Sequence, residues 1–146
     1  MLKLLLLLLW FPYTIVGTVT YVSDGDTIHV VKEDGEKVKV RVSGIDCPES
    51  TQSFGLEAKE FVINEIRNKE VQLYVTDIDR YGRSIALVKY GDKDLSEELL
   101  KNGFAWVYRA YNLDPEQISM EDEARAERRG LWGGNNPVAP WVYRKK

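Results

Sequence analysis

Lys37-Val38-Lys39-Val40-Arg41-Val42-Ser43-Gly44-Ile45-Asp46-Cys47-Pro48-Glu49 is the stretch whose pattern decides the fold. Its first six residues alternate strictly. The valines point one way and Lys37, Lys39 and Arg41 the other, as a half-buried strand requires. Arg41 therefore leaves the sheet on its polar side. Gly44 lets the backbone bend. Pro48 pushes Cys47 into an extended conformation, which leaves the Cys47 carbonyl poorly placed for a helix bond and available as an oxygen ligand. Asp46 and Glu49 flank it. Two carboxylates, one carbonyl and one guanidinium at a strand end suggest a hard cation handling a phosphate.

Toward the N-terminus, residues 14–22 are rich in β-branched side chains and read as a strand. Residues 26–31 form the next, and Asp34-Gly35 is a hairpin turn that returns the chain to Lys37. Three antiparallel strands in a meander follow. Toward the C-terminus, residues 54–67 change to a helical period, with Ala58, Phe61, Val62 and Ile66 on one face and Ser53 as the candidate cap. Residues 71–76 and 85–90 alternate again, joined by a charged connection at 77–83. Asp94 and Glu97 start a short helix. Residues 104–111 are aromatic and extended. Asp114-Pro115-Glu116-Gln117 opens a helix that runs to about residue 129, with a thin apolar stripe of Met120 and Ala124. Five strands with a helix between the third and fourth predict an α+β fold: a five-stranded OB-fold β-barrel with about three helices.

With 146 residues, the chain reads as one domain over 14–146 behind a hydrophobic leader at 1–13. The leader carries Lys3 and leucines at 4–9, and Pro12 ends it. It is too short to span a bilayer, which takes about 20 apolar residues. It reads as an export signal or membrane anchor, or as a leader that simply packs; Lys3 favours export and a secreted or membrane-anchored protein. The formal net charge of −3 argues against a protein that coats nucleic acid, but not against an enzyme whose acids hold a metal. One cysteine makes neither an internal disulfide nor a cysteine-rich zinc site.

Asp24-Gly25-Asp26-Thr27, taken alone, is a turn. Asp46 changes its meaning, because Asp26 and Asp46 both lie at strand ends of one meander and can meet at one rim of the barrel. Two carboxylates that close repel unless a proton or a cation joins them. Oxygen-only ligands point to calcium or magnesium rather than zinc. Glu49 is either an exposed loop acid or a general base. The chain has a single histidine, His29, which reads as an ordinary strand residue, so a base near Asp46 is most simply a carboxylate. Arg41 and Arg83 could each be surface residues. As a pair facing the carboxylates they would clamp a phosphodiester. Trp106, Tyr108 and Tyr111 read more readily as core than as a stacking platform.

These motifs, with Phe54-Gly55-Leu56-Glu57-Ala58 and Asp79-Arg80-Tyr81-Gly82-Arg83, resemble the staphylococcal nuclease family in order and spacing. The likeness extends over roughly residues 14–132. It implies a calcium-dependent phosphodiesterase acting on DNA and RNA with little sequence preference and leaving 3′-phosphates. Asp26, Asp46 and the Cys47 carbonyl would be calcium ligands, and Glu49 would orient or deprotonate the attacking water. Arg41 and Arg83 would hold the scissile phosphate. Arg80 and Tyr81 would contact the neighbouring phosphate, and Tyr111 would lie against the nucleotide. Cys47 replaces a threonine of the type member, and Arg109 falls where a nucleotide-contacting tyrosine is expected. A monomer is expected. The rival readings are a catalytically silent OB-fold module that binds nucleic acid, and an interaction domain that keeps only the barrel.

Overall fold

The computed structural model describes residues 12–146, so the leucine run at 4–9 lies outside the described residues. The strands are β1 (Tyr13–Asp24), β2 (Thr27–Lys32), β3 (Lys37–Val42), β4 (Ile45–Asp46), β5 (Glu70–Ile78), β6 (Ser84–Tyr90), β7 (Lys93–Asp94) and β8 (Trp106–Val107). The helices are α1 (Gly55–Ile66), α2 (Leu95–Lys101), α3 (Pro115–Ala126) and α4 (Pro140–Tyr143), with a 3₁₀ turn at Gly130–Gly133.

The main sheet runs β3-β2-β1-β5-β6-β7. A parallel pairing of β3 with β6, which sets Arg41 opposite Ile85, closes five of these strands into an OB-fold barrel. Long β1 serves both β2 and β5, and its register shifts twice along β2, where bulges bend it round the barrel. Val38, Val40 and Val42 all face inward, as their alternation requires. They join Val19, Ile28, Val30, Leu73, Val75, Ala86 and Val88 in one core. Each fully buried aliphatic side chain there contributes about 2 kcal/mol. Helix α1 covers the barrel with Ala58, Val62 and Ile66. Among the described residues no helix is long and apolar enough to cross a membrane.

Three local differences from the sequence expectation have physical causes. Ser53 does not cap α1. The cap position is Phe54, in the left-handed region at φ 66°, without a side-chain bond. A Cβ on Gly55 would stand 1.8 Å from the Glu49 carbonyl, so the chain enters α1 through a constriction only glycine fits. Helix α3 buries polar residues as well as Ala124: Glu121 is 1% exposed because its carboxylate receives the Val107 amide and the guanidinium of Arg125. Finally, α4 is a fourth helix among the described residues, in a tail that carries only weak local signals.

Candidate active site

The β3–β4 turn builds one wall of an open groove. Gly44 sits at φ 78°, and its carbonyl accepts the Tyr108 amide at 3.0 Å and Asn112 Nδ2 at 3.1 Å. That fixes β4, which pairs Asp46 with Trp106. On the neighbouring strands, Thr27 lies opposite Arg41 in the register. Asp26 therefore reaches the same rim as Asp46.

Arg41 ties the two together. Its Nη2 lies 3.3 Å from Asp46 Oδ1 and 3.6 Å from Asp26 Oδ2. Its Nη1 donates to the carbonyls of Val42, at 2.7 Å, and Ile45, at 2.8 Å. So Arg41 spends one terminal nitrogen holding the turn in shape and the other on the two acids. The Cys47 amide donates to Asp26 Oδ2 at 2.8 Å. Burial pushes the Cys47 thiol well up, which leaves it a neutral small group beside the acids.

Asp24 joins the group, its Oδ1 accepting the Asp26 amide at 3.2 Å. Burial, reinforced by the Asp26 charge, pushes the Asp24 carboxyl up to about 7. Burial also works against ionised Asp26, but Arg41 and hydrogen bonds from Asp24 and the Cys47 amide outweigh it and hold that carboxyl below the usual range. Asp46 is raised, chiefly by burial, despite its guanidinium partners.

The opposite wall is the β5–β6 turn. Asp79 organises it: Oδ1 accepts the amides of Tyr81 and Arg83 at 2.9 and 3.0 Å, and Oδ2 accepts Arg83 Nε at 2.8 Å. Arg83 Nη1 reaches across to Thr27 Oγ1 at 3.2 Å. The guanidiniums of Arg80 and Arg83 lie 5.0 and 5.5 Å from the centre of the Tyr81 ring. Arg80 has no ion pair among the described residues.

Asp26, Arg41, Asp46, Glu49, Arg80, Tyr81, Arg83 and Tyr111 all line this one groove, with Asp24 and Tyr108 beside them. Tyr111 is 81% exposed at its rim rather than core. Arg109 instead turns to the buried Glu121, at 3.4 Å. His29 packs edge-on against Tyr21.

One groove residue has no counterpart in the sequence reading. Arg144, beyond α4, places Nη2 at 2.7 Å and Nη1 at 3.2 Å from the two oxygens of Asp46, and Nη1 at 2.7 Å from Glu49 Oε1. The sequence shows this residue only as part of a basic end.

The alternating β-meander closed into a barrel, with acids and arginines converging on its rim, is matched by a sequence comparison. The family of staphylococcal nuclease homologues matches residues 39–134. The chain belongs to this family. A Haemophilus influenzae protein described as an uncharacterised endonuclease is 36% identical over 128 residues, covering 88% of this chain and 72% of that protein. An Escherichia coli protein of the same description is 36% identical over 131 residues, covering 89% of this chain and 85% of that protein. A probable staphylococcal-like nuclease of Oryza sativa subsp. japonica is 39% identical over 110 residues. The match covers 75% of this chain but only 33% of the rice protein.

The likeness to this family implies a metal ion at the rim. The donor chemistry suits one, because the acids at the rim offer only hard oxygen atoms. Among the described residues, however, no three histidine, cysteine or acidic side chains form a ready metal-binding group as they stand. Guanidinium groups take the carboxylate oxygens instead, Arg41 for Asp26 and Asp46, and Arg144 for Asp46 and Glu49. Cations thus already satisfy the acids that a metal would use.

Proposed function

We propose that the chain is a calcium-dependent nuclease that hydrolyses phosphodiester bonds of DNA and RNA with little sequence preference and leaves 3′-phosphates. The observation that carries this reading is the meeting of Asp26 and Asp46 on one Arg41 nitrogen, in a groove also lined by Glu49 and Arg83. A protein that only bound phosphates would gain nothing from acids at that point, since they repel the ligand.

Asp26, Asp46 and the Cys47 carbonyl would hold calcium. When bound, the ion supplies positive charge against the phosphate oxygens. Glu49 takes the proton of the attacking water, and its position on the 47–53 turn is fixed by Gln52 Oε1, which accepts the Glu49 amide at 3.1 Å. Arg83 neutralises the charge that grows on the phosphate and favours departure of the 5′-oxygen. Arg41 supports the same oxygens while keeping the rim in shape. Arg80 and Tyr81 hold the neighbouring phosphate, and Tyr111 offers its exposed ring to a base.

The family match and the names of the relatives support the nuclease reading; the oxygen donors support calcium. We also propose that the protein acts as a monomer and is exported or membrane-anchored through residues 1–13. Incubation with single-stranded DNA and with RNA, in calcium and in a chelator, tests the activity. Cleavage in calcium alone, with 3′-phosphate ends, is expected. Binding without cleavage under both conditions would identify a silent module instead.

A further inference from the structure

The tail from Pro137 onward is docked beside the groove by contacts unrelated to charge. Trp141 stacks on Tyr108 with ring centres 5.6 Å apart and 18° between planes, and it meets Trp106 edge-on. Tyr143 Oη and Thr51 Oγ1 are hydrogen-bonded at 2.9 Å, and Gln52 donates to the Val138 carbonyl. Ala139 and Pro140 are buried. This packing delivers Arg144 to the acids.

We propose that Arg144 is an internal cation that competes with the divalent metal for Asp46, so that metal loading and release of Arg144 are one equilibrium. This rests on the metal reading of the groove. Asp46 is 1% exposed in its side chain and receives the Arg144 fork on both oxygens. A metal ligated by Asp46 must take at least one of those oxygens. It would also set a second cation within the same few ångströms. Arg144 cannot escape that repulsion by losing its proton. It can escape by moving, because its side chain is 40% exposed. In the metal-free protein it adds a second positive charge beside Asp46, next to that of Arg41. Apparent metal affinity is then reduced by the fraction of molecules in which Arg144 is docked.

Calorimetric titration of the full chain with calcium tests this, using wild type, Arg144→Gln, Arg144→Lys and, as a neighbouring-charge control, Lys145→Gln. The expected result is calcium binding about tenfold tighter in Arg144→Gln, as for removal of a competitor docked in about nine molecules of ten. Arg144→Lys, which keeps the charge but loses the fork, falls between, and Lys145→Gln matches wild type. In parallel, the Nε resonance of Arg144 in a ¹⁵N spectrum, assigned by its loss in Arg144→Gln, moves to the position of a solvated arginine on calcium addition. Equal or weaker calcium binding in Arg144→Gln, or an Arg144 resonance that calcium leaves in place, overturns the inference while the metal reading stands. Failure of every protein to bind calcium overturns both.

Discussion

Asp79 holds Arg83 at three points: its carboxylate receives the Arg83 side chain at 2.8 Å and backbone amide at 3.0 Å, while its own amide donates to the Arg83 carbonyl at 2.9 Å. Five residues thus close on themselves and present a guanidinium to the groove. Although burial opposes ionisation of Asp79, hydrogen bonds from the Arg83 amide and side chain and the Tyr81 amide hold its carboxyl below the usual range. Asp79→Ala leaves the barrel intact and frees Arg83. Turnover should fall about tenfold to a hundredfold through misplacement of the phosphate-binding group. The same change in an Arg83→Ala background should add little, and a double-mutant cycle of kcat checks this.

Glu49 offers the simplest chemical test. Glu49→Ala removes the proposed base and one partner of Arg144, at a side chain that is 33% exposed. Cleavage should drop about a hundredfold or more, with the melting temperature little changed. An active Glu49→Ala protein would remove Glu49 from the mechanism.

Gly55 links the fold to that acid. A Cβ there would meet the Glu49 carbonyl carbon at 2.7 Å and its oxygen closer still. Gly55→Ala must push the turn at 49–53 outward. Urea unfolding should show a loss of about 2 kcal/mol, and cleavage should fall further than the folded fraction alone explains.

The barrel is legible in the sequence because alternation is a local property. Val38, Val40 and Val42 declare the buried face of β3 without any partner in view, and the hairpin at Asp34-Gly35 sets β2 beside it. Once β2 and β3 are neighbours, Asp26 and Asp46 follow to one rim. Arg144 is not legible in this way. Its partners are 98 and 95 residues away, and it is delivered by aromatic packing of Trp141 that no spacing rule encodes. Glu121 escapes for a related reason. A helical stripe is read from apolar residues, whereas this carboxylate is buried to satisfy the Val107 amide. Asp24 is visible as a letter, but only burial beside Asp26 distinguishes it from an ordinary turn aspartate.

Asp24 gives the protein a pH dependence whose sign can be stated. Its carboxyl is raised from 3.8 to about 7 by burial and by Asp26, with Glu49 adding a smaller repulsion. Between those values the native state binds a proton that the unfolded state has lost. The stabilising contribution is therefore complete below about pH 4 and is lost as pH rises through about 7. Melting in a chelator should show stability falling from pH 5 to pH 8. Asp24→Asn should flatten that fall and raise the melting temperature most at pH 8.

The most direct test of the account is a calcium titration of cleavage, comparing wild type with Asp46→Asn on one single-stranded DNA substrate. The proposed calcium site needs both Asp26 and Asp46. Wild type should cleave with a saturable dependence on calcium and not at all in chelator, and Asp46→Asn should lose cleavage at every calcium concentration at which wild type is active. Asp46→Asn cleavage with an unchanged calcium midpoint, or wild-type cleavage that persists in chelator, would contradict the account.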